Sequence, residues 1–185
     1  ADMILTDDNF ATIVSAVHEG RSIFENIKKA VHFLLSSNIG EILTILCAII
    51  AGLPSPLTAV QLLWVNLITD SLPALALGVD TNDMKKIISQ KPIRRNKSLF
   101  ADGLALLIFI EGIMIGTLAL TAFCIGYFKF NSQDIGRTMA FCVLSMSQLV
   151  HSFNVRSDTT VLSSQTPKNV LLTGAFLLGV ILQVF

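Results

Sequence analysis

Charge is what this chain has least of. Only 14% of its 185 residues are Asp, Glu, Lys or Arg, and the two signs cancel to a formal net charge of zero. A neutral chain has no long-range field to gather a polyanion, so nucleic acid is excluded as a partner class. Cysteine is scarce as well. Cys47, Cys124 and Cys142 all fall in apolar runs without metal-ligand spacing, and they read as small buried hydrophobes. His18, His32 and His151 share no metal-binding spacing either and stay unassigned. No internal repeat, low-complexity tract or signal peptide is evident.

What the chain has instead is apolar length. Hydrophobic residues make up 52% of it, too many for an ordinary soluble domain. They gather in segments at about 33–53, 59–79, 103–128, 138–154 and 169–185. A bilayer crossing needs about 20 apolar residues. The expected fold is therefore an all-α membrane protein: a polytopic bundle of about five transmembrane helices, residues 33–185, preceded by the end of a cytoplasmic domain, residues 1–32. Within that first stretch Ile13, Val14, Val17 and Ile23 carry helical periodicity, with Asp8 or Asn9 placed to cap the helix. The chain opens on Ala1 and closes inside an apolar run at Phe185, so a piece of a longer protein with a truncated last helix is expected.

The connections set the topology. Leu53-Pro54-Ser55-Pro56 is tight and uncharged, which makes the first two spans a hairpin. Residues 80–102 form a long basic link, and 126–136 and 156–168 are further connections. Lysine and arginine favour the cytoplasmic side. Placing 1–32, 80–102 and 156–168 inside collects eleven of them, against only Lys129 and Arg137 outside. The N-terminus is thus expected inside and the first hairpin loop outside.

Two acids interrupt this apolar background: Glu41 in the first span and Asp70 in the second. A charge at the centre of a membrane helix costs about 2.5–3.5 kcal/mol on insertion scales, and such groups usually mark an ion or proton path. Asn38 stands three residues before Glu41, while Asn66, Thr69 and Asp70 are spaced i, i+3, i+4, so each set shares one helical face. Facing each other, they would form an oxygen-rich pocket suited to a hard cation. Lone amides and hydroxyls in membrane helices often serve as helix glue, at about 0.6 kcal/mol each. Two carboxylates are not explained that way. Pro73 removes the ladder bond to the carbonyl of Thr69, as in the broken helices of transporters. Gly40 permits close helix approach. Glu111 has no polar neighbour on its own helix face, which points to snorkelling or an inter-helix bond. Ser145, Gln148 and Ser152 form a polar stripe in the fourth span. There Gln148 serves either as a neutral oxygen for the same pocket or as helix glue.

The same residues carry a resemblance. SSNIGE at 36–41 and VQLLWVNLITDSLPALALG at 60–78 resemble the fifth and sixth membrane helices of P-type (E1-E2) cation-transporting ATPases of the calcium-pump subfamily. The opening residues resemble the end of the phosphorylation domain and the stalk that follows it. The match is nearly continuous over residues 1–100 and looser, though collinear, beyond. The resemblance implies a translocase in which Asn38, Glu41, Asn66, Thr69 and Asp70 are side-chain ligands of transported calcium, with Asp70 shared when two ions bind. It implies that 80–102 contacts the phosphorylation domain, and that ATP and magnesium belong to the full-length parent and not to this stretch. Partners would be the lipid bilayer and the upstream phosphorylation, nucleotide and actuator domains of the same chain.

Two departures stand out. The two-ion reticulum pumps have a glutamate where Gln148 aligns, whereas the one-ion plasma-membrane pumps have glutamine there but lack the glutamate that Glu41 retains. One or two ions per cycle are both open. The phosphorylated aspartate motif is not within the chain, so ATP chemistry is expected upstream of Ala1 and no residue here is expected to be catalytic. A manganese or sodium pump of the same family is the alternative, and an ATP-independent cation transporter or conducting bundle is the more distant one. Short outer loops favour a bacterial plasma membrane over a eukaryotic internal one.

Overall fold

The computed structural model describes residues 9–81, 99–100, 103–156 and 169–184. Among these residues five helices follow in order: α1 (Phe10–Ile50), α2 (Ala59–Gly78), α3 (Leu104–Phe130), α4 (Gln133–Arg156) and α5 (Val170–Val184). Most of the basic stretch expected at 80–102, and the connection at 157–168, lie outside the described residues.

The N-cap of α1 is Asn9. Its backbone is extended and its side-chain oxygen accepts the Ala11 N–H at 3.0 Å, which satisfies one of the first-turn donors that a helix leaves open. From there 41 residues run without a break, about 60 Å of rod at 1.5 Å per residue. The polar stalk and the apolar span are therefore a single helix passing straight through positions 32 and 33. The rod ends where Gly52 takes φ +68°, a conformation that costs a Cβ-free residue little. Its N–H and that of Leu53 bond back to Ile49 O and Ala48 O at 3.0 and 2.9 Å. The prolines at 54 and 56 bar any continuation. Thr58 then starts α2 with a capping box. Its hydroxyl accepts the Gln61 N–H, and the Gln61 side chain accepts the Thr58 N–H.

Two boundaries differ from the sequence expectation. The link expected over 126–136 shrinks to Asn131 and Ser132. Asn131 adopts a left-handed turn at φ 50°, and Gln133 to Thr138 are already helical. Asparagine tolerates that region because its short side chain bonds locally. In addition, α1, α2 and α3 are long and apolar enough to cross a membrane, whereas α4 and α5 do not meet both conditions. At 15 residues α5 is short. α4 has length enough at 24 residues but is rich in polar side chains, several of which it buries.

Polarity is distributed inside out. Ile42, Ile50, Val60, Leu63, Leu67, Leu75 and Leu106 are exposed, while Glu41, Thr44, Thr69, Asp70, Gln148 and His151 are buried. A water-soluble domain reverses that arrangement. Two apolar clusters flank the polar interior. Val65, Ile115, Phe123 and Leu144 form one, and Phe33, Leu77 and Leu172 form the other.

A close seam lies between α1 and α3. A Cβ on Gly112 would stand 2.5 Å from Ile39 Cγ2, and one on Gly116 would stand 2.9 Å from the Gly40 carbonyl oxygen. The two glycines are four apart, so they form one small-residue groove that admits the α1 backbone. Thr44 closes the seam by donating to Gly40 O at 2.7 Å and Gly116 O at 3.3 Å.

Further toward the N-terminal half of α1, Asp80 ties four helices. Arg156 Nε and Nη2 donate to its carboxylate at 2.8 and 3.2 Å, and Asn169 Nδ2 donates at 2.8 Å. Asn26 Nδ2 donates to the Asp80 carbonyl at 2.7 Å.

Gly116→Ala should therefore cost about 1–3 kcal/mol through overpacking against rigid backbone. Gly20→Ala, whose Cβ meets nothing within 4 Å, should stabilise α1 by about 0.5–1 kcal/mol. Thermal unfolding of the two variants in detergent should move in opposite directions.

Candidate cation site

Glu41 is the meeting point of three helices. It sits on α1, is 5% exposed, and accepts two carboxamide donors. Gln148 Nε2 of α4 reaches Oε1 at 2.9 Å, and Asn66 Nδ2 of α2 reaches Oε2 at 3.1 Å. A buried carboxylate without such donors would bear its full desolvation cost, and hydrogen bonds to a charged group contribute about 1.5–3 kcal/mol. The sequence left Gln148 between ion ligand and helix glue. Its amide nitrogen does the gluing, while its Oε1 is buried without a hydrogen bond among the described residues.

Asp70 is the opposite case. It is 1% exposed, and neither carboxylate oxygen has a hydrogen-bond partner among the described residues. The nearby Glu41 carboxylate repels it electrostatically. A buried acid that meets like charge and no donor is unstable as a structural element. It becomes favourable when it takes up a proton or when a cation is brought to it.

The local backbone explains how Asp70 arrives there. Residues Val65–Asp70 form a widened π turn, three residues before Pro73. The expected break at the proline is thus milder than a rupture: α2 stays helical throughout. The ring of Pro73 lacks an N–H and crowds the preceding turn, and a wider turn takes up that strain without unwinding the chain. Ser71 Oγ donates to Asn66 O, five residues back, at 2.8 Å. Such turns recur at functional sites because they re-aim side chains within a helix.

The remaining expected ligands are less uniformly placed. Thr69 is buried beside Asp70. Asn66 is exposed although it bonds Glu41, and its amide also bonds Leu62 O at 2.9 Å. Asn38 folds back on its own helix, its amide nitrogen donating to Leu34 O at 2.7 Å, and among the described residues that nitrogen is not bonded to the other five. Glu41, Asn66 and Gln148 are directly joined, and Asp70 is coupled to them through charge.

Sequence reasoning missed a second polar cluster. Glu111 does make an inter-helix bond, to His32 Nε2, and His151 Nε2 lies 3.7 Å from the same oxygen. One signal was available. His32 stands just before the first apolar run, Glu111 near the start of α3 and His151 near the end of α4, positions that an up-and-down bundle brings to the same side although no spacing along the chain connects them.

Comparison with known proteins agrees with this architecture. Residues 54–185 match the family described as "Cation transporting ATPase, C-terminus". The chain is similar over its whole length, at 48% identity, to "Calcium-transporting ATPase 1" of Bacillus cereus, covering 22% of that protein. It is 43% identical over 98% of its length to the "Calcium-transporting ATPase" of Bacillus subtilis, covering 20% of it. It is 40% identical over 82% of its length to "Calcium-transporting ATPase 4, endoplasmic reticulum-type" of Arabidopsis thaliana, covering 14% of it. The chain thus spans about a fifth of the length of the relatives it matches best in coverage.

Gln148→Leu keeps the side-chain volume near Glu41 but removes its donor. The buried carboxylate oxygen is then orphaned, and stability should fall by about 1.5–3 kcal/mol. Ser147→Ala, which removes only a bond to the same helix's Val143 carbonyl, should be near neutral. Parallel melting curves of the two variants check the difference.

Proposed function

The chain belongs to the cation-transporting P-type ATPases, matching the C-terminal portion of calcium-transporting members, and from that premise we propose that its polar interior is part of the calcium-translocation site. The observation that carries the reading is Asp70, a buried carboxylate near a second acid, whose two oxygens have no hydrogen bond among the described residues. Asn38, Glu41, Asn66, Thr69, Asp70 and Gln148 are the proposed ligands. They offer carboxylate, carboxamide and hydroxyl oxygens, the donor set that hard divalent cations prefer. Entry of the ion would replace hydrogen bonding at Glu41 with coordination and would neutralise the repulsion between Glu41 and Asp70.

All five helices are proposed to lie in the membrane. α4 spans despite its polarity because its polar residues face the bundle interior, where Gln148, His151 and Ser152 are buried. Residues 1–32 are proposed as the end of the phosphorylation domain and its stalk, on the cytoplasmic side of a bacterial plasma membrane. The continuous α1 rod supports a direct mechanical link, since a tilt at its N-terminal half moves Glu41 without an intervening hinge. ATP and magnesium would act in the upstream phosphorylation, nucleotide and actuator domains. Phosphorylation there would shift α1 relative to α2, separate Glu41 from Asn66, lower the affinity for the ion and open the site outward. Protons returning to the two acids are the natural counter-charge.

Asp70→Asn in the full-length pump should abolish calcium-dependent phosphoenzyme formation from ATP. Undiminished calcium-dependent phosphoenzyme would remove Asp70 from the site. The same assay with manganese or sodium in place of calcium identifies the cargo.

A further inference from the structure

A second constellation lies outside the calcium pocket. His32 on α1, Glu111 on α3 and His151 on α4 each offer one ligand atom, and those atoms all lie within 4.8 Å of one another. Both rings turn the same nitrogen, Nε2, toward the same carboxylate oxygen, Oε2. His151 is 2% and His32 9% exposed, so these are built-in groups and not surface chance. Nine residues separate His32 from Glu41 on α1, which sets the clusters about 13 Å apart along the rod.

We propose that His32, Glu111 and His151 form a binding site for a borderline transition-metal cation of the zinc class, distinct from the transport pocket. Two imidazoles and one carboxylate are a recurrent zinc donor set, with a fourth position left for water. Two neutral nitrogens make the site a poor match for calcium, which takes oxygen ligands. A metal would part the bonded His32 Nε2 and Glu111 Oε2 and draw the three ligand atoms, now within 4.8 Å of one another, to a common spacing. Ligands at about 2.0–2.1 Å from a tetrahedral zinc stand about 3.3 Å apart, and His151 Nε2 to Glu111 Oε2 is already 3.7 Å. His151 Nε2 would exchange its 2.7 Å contact with Ser36 Oγ for the metal.

Occupation has a mechanical consequence. The three ligands come from three helices, including the α1 rod that bears Glu41. A metal bound here pins α1 to α3 and α4, so it acts as a brake on any cycle that requires α1 to move.

The test uses the full-length protein in lipid nanodiscs, stripped of metal and titrated with zinc alone. Calorimetry should show one saturable zinc per chain at the cluster, and X-ray absorption at the zinc edge should show two imidazoles with oxygen ligands at about 2.0–2.1 Å. Glu111→Gln and His151→Gln should each weaken zinc binding at least tenfold, while Glu41→Gln should leave it unchanged. Zinc should also raise the melting temperature of the unsubstituted protein and slow its ATPase, both reversed by a zinc-selective chelator. Absence of saturable zinc binding, an absorption spectrum without imidazole, or equal affinity in the Glu111 and His151 variants would overturn the proposal. The spectrum and the melting shift need no variant, so a misfolded substitution does not rescue it.

Discussion

Burial of the Glu41 carboxylate in an apolar bundle governs this structure. An acid in that setting must find donors or lose its charge, and here two carboxamides supply them from α2 and α4. The bonds from Asn66 and Gln148 join α1 to both helices at mid-bundle. Among the described residues Asp70 and Gln148 Oε1 have no donor. The donors present suffice for one acid and not for two, and the shortfall is what a cation would make good.

The rest of the fold serves to hold those helices at the right separation. Gly112 and Gly116 let α3 press onto α1 at backbone distance, and a side chain at either would force the rod away. Asp80 gathers Arg156, Asn169 and Asn26, so the ends of α2, α4 and α5 meet the middle of α1 in one ionic knot. Close packing of small residues secures the bundle beside the polar layer, since Gly40 adjoins Glu41 and Gly112 adjoins Glu111, and charge secures it further along α1 at Asp80. In that layer π widening in α2 and the histidine–glutamate cluster break the regular pattern.

Much of this was legible in the chain. The Asn9 cap, the proline-bounded hairpin after α1 and the start of α2 follow from local rules of capping and turn chemistry. Glu41 and Asp70 were conspicuous because an acid inside an apolar run is costly wherever the helix lands. The α3–α4 connection was misjudged because polar residues at 133–138 look like loop in composition, yet they continue a helix. Pro73 announced an irregularity in α2, but not that a wider turn would absorb it. Asn38 has the spacing of a ligand, and only the structure shows that its amide nitrogen bonds its own backbone.

Sequence alone determined the class of structure and the residues at stake, because long apolar runs and misplaced acids are properties of composition along a line. Only the tertiary structure decided which polar atoms meet. Gln148 stands 107 residues from Glu41, and the residues of the His32, Glu111 and His151 cluster are separated by 79 and 40 positions. No periodicity links groups on different helices. Their contact depends on helix rotation and depth, which are set by the glycine seam and the Asp80 knot.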